Sequence, residues 1–98
     1  MSLIFFAVLN LKLYLGGFMK LNEAVAKRIY KILKENNITI NKLASMSCLT
    51  QSTVECLING KSKNPKLLTI IKICDGVGIS LYDFFDDELF FSVILDRE

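Results

Sequence analysis

The 98-residue chain reads as an all-α domain of five short helices with short β-strands at the N- and C-termini. Three observations carry this. Apolar residues recur at i, i+4, i+7 and i+8 from Val25 to Leu33, the period of a helix with one buried face. Cap-type residues (Asn22, Thr39, Thr50, Asn64 and Ser80) stand ahead of each candidate helix. Gly60 and Gly78 stand where helices should stop. At this length, with 52% hydrophobic residues, the chain can build one core and not two. We divide it into residues 1–18, an apolar arm; 19–86, the helical domain; and 87–98, a C-terminal strand.

Residues 3–15 (LIFFAVLNLKLYL) are the most apolar stretch. No basic residue precedes them, no small-residue cleavage site follows, and Asn10 and Lys12 interrupt a run already short of the roughly 20 residues that span a bilayer. No membrane partner is expected. Leu3, Phe5, Ala7, Leu9, Leu11, Leu13 and Leu15 alternate with a second face holding Asn10, Lys12 and Tyr14, the period of a half-buried strand. A helix or loose arm is the alternative. Residues 89–95 alternate in the same way, and pairing between the two stretches would cover both apolar edges. Gly16-Gly17 ahead of Met19 is either a flexible turn or the translation of a purine-rich ribosome-binding sequence. In the second case residues 1–18 are translated leader.

The first helix is expected over residues 23–36, capped by Asn22, with Glu23 in its first turn and Lys34 in its last. Val25, Ile29, Ile32 and Leu33 form its apolar face, and Lys27, Arg28, Lys31 and Lys34 a basic one. Thr39 caps the second helix, 40 to 46 or 47, which turns Leu43 and Ala44 inward. A tight turn at Ser47-Cys48-Leu49 leads to Thr50, the cap of a third helix over 51–59 that ends at a left-handed Gly60. Val54 and Leu57 face in, while Gln51, Ser52, Glu55, Cys56 and Asn59 face out. Asn64-Pro65 signals a fourth helix with proline at its first position, carrying Leu68, Ile71 and Cys74 with Leu67 at the border, and ending by Gly78. Ser80-x-x-Asp83 is a capping-box start for a fifth, whose Leu81, Phe84 and Phe85 close the core.

Charge is asymmetric. Residues 20–66 hold Lys20, Lys27, Arg28, Lys31, Lys34, Lys42, Lys61, Lys63 and Lys66 against Glu23, Glu35 and Glu55. From residue 67 onward only Lys72 and Arg97 oppose Asp75, Asp83, Asp86, Asp87, Glu88, Asp96 and Glu98. One end should attract polyanions and the other should face away from them. Cys48, Cys56 and Cys74 form no C-x-x-C pair and the chain has no histidine, so no metal site is expected and reduced thiols in a cytoplasmic protein are. No nucleophile-and-base set and no phosphate-cradling glycine loop is present; we expect no catalytic residues, no cofactor and no enzyme activity.

In order and spacing, these residues resemble helix-turn-helix regulators of the phage repressor and Cro type. The resemblance runs from about Val25 to Phe85. It rests on Arg28-Ile29 and Leu33, Leu43-Ala44, the run from Leu49 to Val54, Asn59-Gly60-Lys61, Pro65, Ile73, Gly78-Ile79-Ser80-Leu81 and Phe84-Phe85. It implies a repressor-like five-helix fold, double-stranded DNA as partner, a homodimer, and helix 51–59 lying in the major groove. The residue chemistry agrees. Gln51 can pair with adenine N6 and N7, Ser52 can reach several base edges, and Glu55 can accept from cytosine N4. Thr50 can offer its methyl to thymine, and Cys56 is base-facing by family position. Thr39, Asn59, Lys61, Lys63, Asn64 and Lys66 are the expected phosphate-side contacts. An antitoxin-like or adaptor module with a toxin-like protein partner is the competing reading.

Three positions depart from the family pattern. Cys48 stands where the turn usually has glycine and is expected to adopt positive φ. Ile40 replaces a frequent phosphate-binding glutamine, and Ile58 a frequent glutamate. With Cys56, Cys48 also places two thiols near the DNA face, which admits redox sensing as a form of regulation.

Overall fold

The structure, a computed structural model, describes residues 3, 4, 7, 19–91, 93 and 94. Strand β1 (Met19–Lys20) leads directly into helix α1 (Leu21–Asn36). Helices α2 (Ile40–Met46), α3 (Gln51–Ile58), α4 (Leu67–Val77) and α5 (Leu81–Phe85) follow. A 3-10 turn over Glu88–Phe90 and strand β2 (Val93–Ile94) complete the described chain. The all-α class holds, with five helices in the expected order.

The core is one cluster. Val25, Ile29, Ile32 and Leu33 of α1 meet Leu43 and Ala44 of α2, Val54 and Leu57 of α3, Ile70, Ile73 and Cys74 of α4, and Phe84 of α5. Phe84 is fully enclosed and stacks edge-on with Phe85 at a centroid distance of 5.0 Å; Phe85 meets Phe90 at 4.9 Å. Aromatic edge contacts of this kind add to the burial of the rings themselves. Burial also pushes the Cys74 thiol up, so it behaves as a small apolar residue.

The caps explain the boundaries. Thr39 Oγ1 accepts from Lys42 N at 3.0 Å, and Thr50 Oγ1 from Thr53 N at 3.2 Å. Ser80 and Asp83 form the complete reciprocal box. Gly60 and Gly78 have φ of 70° and 77°, the left-handed values expected of them, and Cys48 has φ 55°. Asn37, at φ 52°, closes α1 in the same way.

Several expectations are corrected. Asn22 does not cap α1: Lys20 occupies that position without a capping side-chain hydrogen bond, and Asn22 lies inside the helix, its Nδ2 donating to Gly60 O at 2.9 Å. Pro65 is not the first residue of α4. Lys66 takes the extended cap conformation and the helix starts at Leu67. The buried stripe of α4 is accordingly Ile70, Ile73 and Cys74, while Leu67, Leu68 and Ile71 are exposed. Both stripes have helical spacing, so period alone could not choose between them.

Nor is Arg28 a solvated member of a basic face. It is 8% exposed, donates from Nε to Phe84 O at 2.7 Å and from Nη2 to Asp83 O at 3.1 Å, and lies over the Phe84 ring at 5.5 Å. These are the carbonyls that the end of α5 leaves without helical partners, so a cation there satisfies them and meets the negative end of the helix dipole. Lys31 Nζ donates to buried Asp87 at 2.7 Å.

At the termini, Leu3, Ile4 and Ala7 are helical and not a strand. A run this uniformly apolar also satisfies the helical spacing, and its alternation was therefore a weak discriminator. The remainder of 3–15 lies outside the described residues. Among the described residues of the C-terminal segment, Val93–Ile94 is strand, and its partner is Met19–Lys20, paired in parallel with Met19 opposite Val93.

Candidate nucleic-acid interface

Helix α3 is held from behind and open in front. Val54 and Leu57 anchor it in the core, and α1 and α2 both pack against it. The turn joining α2 to α3 is tight because Leu49 N bonds to Ala44 O at 2.9 Å and Cys48 adopts its left-handed φ. Gly76 of α4 presses on the back of this turn. A Cβ there would stand 2.7 Å from Met46 O and 2.8 Å from Ser47 Oγ, closer than real side chains pack. Sequence reading left Gly76 unremarked, because only the approach of two backbones gives it a role.

The outer face of α3 carries the residues expected on it: Gln51, Ser52, Glu55, Cys56 and Asn59 are all exposed. Thr50, at the head of the helix, has its oxygen occupied. It accepts from Thr53 N and lies 2.8 Å from Thr53 Oγ1, which leaves its methyl as the free feature. Gln51 Nε2 donates to Glu55 Oε1 at 2.9 Å, an i to i+4 bond along the exposed face. Cys56 is an exposed free thiol on this face, as is Cys48 in the turn.

Beside the helix the chain passes Gly60 and runs as a loop to Lys66. Ser52, Thr53, Cys56 and Leu57 of α3 line one groove together with Leu49, with Ser62, Asn64 and Lys66 of the loop, and with Thr69 of α4. Two groups of expected contacts, Ser52 and Cys56 with Asn64 and Lys66, are thus brought together. Lys61 and Lys63 are exposed on the same loop, and Asn59 caps the end of α3 with its backbone N–H on Glu55 O. Asn22 fixes the loop at its root through Gly60 O. Ser62 and Thr69 were not singled out from sequence, although a serine between two lysines was a signal for the first.

Thr39 is set apart. It lies at the start of α2 beside a second hollow lined by Tyr30, Leu33, Lys34, Ile38, Ile40 and Ile58. This accounts for two departures together: Ile40 and Ile58 are half-buried against the core and each other's neighbours, so apolar packing replaces polar groups at both positions. Among the described residues there is no cluster that could hold a metal ion, and no helix is long and apolar enough to cross a membrane.

Two short helices joined by a tight turn, the second exposing a polar face beside a lysine-bearing loop, define a helix-turn-helix DNA-binding protein. A family model for the Cro/C1-type HTH DNA-binding domain matches residues 28–88, more than half of the chain, and the chain belongs to that family. Its function is accordingly DNA binding in transcription regulation. No curated protein and no solved structure matches the chain.

Proposed function

We propose that the protein is a sequence-specific repressor that binds double-stranded DNA as a dimer, with α3 lying in the major groove. The observation that carries this is the outward face of α3, where Gln51, Ser52, Glu55 and Cys56 stand exposed on a helix whose opposite face is locked in the core. Gln51 matches adenine, Ser52 reaches neighbouring base edges, the Thr50 methyl suits thymine, and Cys56 offers a small surface to the groove floor. Lys61, Lys63, Asn64, Lys66 and Asn59 flank that face as phosphate contacts, with Thr39 meeting the backbone from the start of α2.

One helix reads too few base pairs to define a site, and two half-sites a helical turn apart resolve this. The exposed Leu67, Leu68 and Ile71 of α4 offer apolar surface for self-association. Repression needs nothing beyond occupancy, since a bound dimer covers the DNA beneath it. The concentration of carboxylates after residue 67 belongs on the side turned from the duplex.

Selection of bound sites from random duplexes, repeated with Gln51→Ala and Lys61→Ala, tests the arrangement. The glutamine change should erase the preference at one base pair per half-site. The lysine change should weaken all sequences alike and lower the salt slope by about 1. Selected sites lacking two-fold symmetry would remove the dimer, and unaltered base preference in Gln51→Ala would remove the groove placement.

A further inference from the structure

We infer that Glu55 is a positioning residue, which orients the Gln51 amide and makes it read adenine and reject guanine. This rests on the placement of α3 in the major groove. A carboxylate on a helix facing DNA calls for a reason, because the phosphates repel it and every sequence is then bound less tightly. The structure supplies one in the 2.9 Å bond from Gln51 Nε2 to Glu55 Oε1.

The carboxylate offers only acceptors, so it takes an N–H from the glutamine and would repel the amide oxygen. The amide is therefore held in one of its two flips. One N–H is engaged, and the carbonyl oxygen with the second N–H remains for a ligand. A primary amide can do both at once, since the edge used in bidentate pairing consists of its oxygen and one N–H, leaving the other N–H for Glu55.

The consequence is selectivity. Adenine presents N7, an acceptor, next to N6–H, a donor, and the remaining edge of Gln51 matches that pair. Guanine presents two acceptors, N7 and O6. A free glutamine could turn both N–H bonds toward them, but Glu55 already holds one, and the amide oxygen is left facing O6. Glu55 thus trades affinity for discrimination: its charge weakens binding to all DNA, and its bond to Gln51 penalises guanine most. A glutamate acting as a direct reader of cytosine N4 would behave in the opposite way, with its removal weakening binding at the cognate site.

The test uses the full chain on the site selected by the wild type, with the base pair read by Gln51 located from the Gln51→Ala selection. Binding is then measured with adenine and with guanine at that position for wild type, Glu55→Ala and Glu55→Gln, and thermal melting checks the fold of each. Wild type should prefer adenine by about 5- to 150-fold. Glu55→Ala should bind the guanine site more tightly than wild type does and shrink the preference several-fold. Glu55→Gln, which keeps an acceptor but can itself flip, should fall between the two and share the rise in overall affinity. An unchanged adenine-to-guanine ratio in Glu55→Ala overturns the inference. So does a loss of preference at a different base pair, which would make Glu55 a reader. If Gln51→Ala itself alters no base preference, the groove placement fails and this inference with it, a result distinct from the first two.

Discussion

Replacing Gly76 by alanine sets two effects of opposite sign against each other. In a helix interior the change gains about 0.8–1 kcal/mol from backbone propensity. Gly76 lies in the last turn of α4, where that gain is at its smallest, and its added Cβ would meet Met46 O at 2.7 Å, Ser47 Oγ at 2.8 Å and Met46 C at 2.9 Å. Two of those atoms are backbone in the turn between α2 and α3, and neither can rotate away. Overpacking of a site that resists costs about 1–3 kcal/mol, with backbone contacts toward the upper end, so a net loss of about 1–2 kcal/mol is expected. In a domain of this size that lowers Tm by roughly 4–16 °C. DNA binding should weaken as well, because the turn sets how α3 projects. Ser47→Ala gives the internal control. The Ser47 hydroxyl is buried without a hydrogen-bond partner, so its removal should not destabilise, and in the double variant it relieves one of the three close contacts and recovers only part of the loss. Thermal and urea unfolding read all three variants. A Gly76→Ala protein more stable than wild type would refute the close approach of α4 to the turn.

Cys48→Gly should stabilise by about 0.5–1 kcal/mol, since a left-handed residue with a Cβ costs about 1–2 kcal/mol and glycine gives back part of that in the unfolded chain; urea midpoints would measure it. Asn22→Ala should lose about 1 kcal/mol with its bond to Gly60 O, while Asn22→Asp, which turns a second acceptor toward that carbonyl, should lose more; the same melts distinguish them. The pH dependence follows from the Lys31–Asp87 pair. Burial alone would raise the Asp87 carboxyl, but the Lys31 hydrogen bond, the Leu89 N–H and the nearby Lys31 and Arg28 charges outweigh it and hold the carboxyl below its ordinary value of 3.8. Its contribution is therefore complete above pH 3.8 and lost as pH falls through the lower folded value. The Lys31 ammonium is raised above 10.5, chiefly by its hydrogen bond to Asp87, so its contribution is complete below that pH and lost as pH rises through the folded value. Asp87→Asn should flatten both limbs of a stability–pH curve; limbs unchanged from wild type would remove the pair from the account.

What the residues disclosed, and what they withheld, divides along a physical line. Caps, glycine stops and the capping box are local: Thr39, Thr50 and Ser80 each satisfy N–H groups within three residues of themselves, so short-range chemistry located three helices and the exposed polar face of α3. The fourth, α4, shows the limit. Its two apolar stripes have equal spacing, and the choice between them depends on where the helix begins and on which side the α2–α3 turn approaches, facts that no local pattern contains. Arg28, which spacing places on a basic face, shows the same limit. A guanidinium among lysines on a helix looks solvated until the carbonyls of Asp83 and Phe84, more than 50 positions along the chain, come to meet it.

The same distinction bears on the interface. Gln51 and Glu55 were each legible as donor or acceptor toward a base, but four residues apart on one helix they are also partners of one another, and the bond between them uses capacity that would otherwise be free. A list of base-facing residues treats every side chain as independent. In the proposed placement of α3 the groove would meet a smaller set of donors and acceptors, those left after the helix has satisfied some of its own, and that remainder would decide which base pair is read.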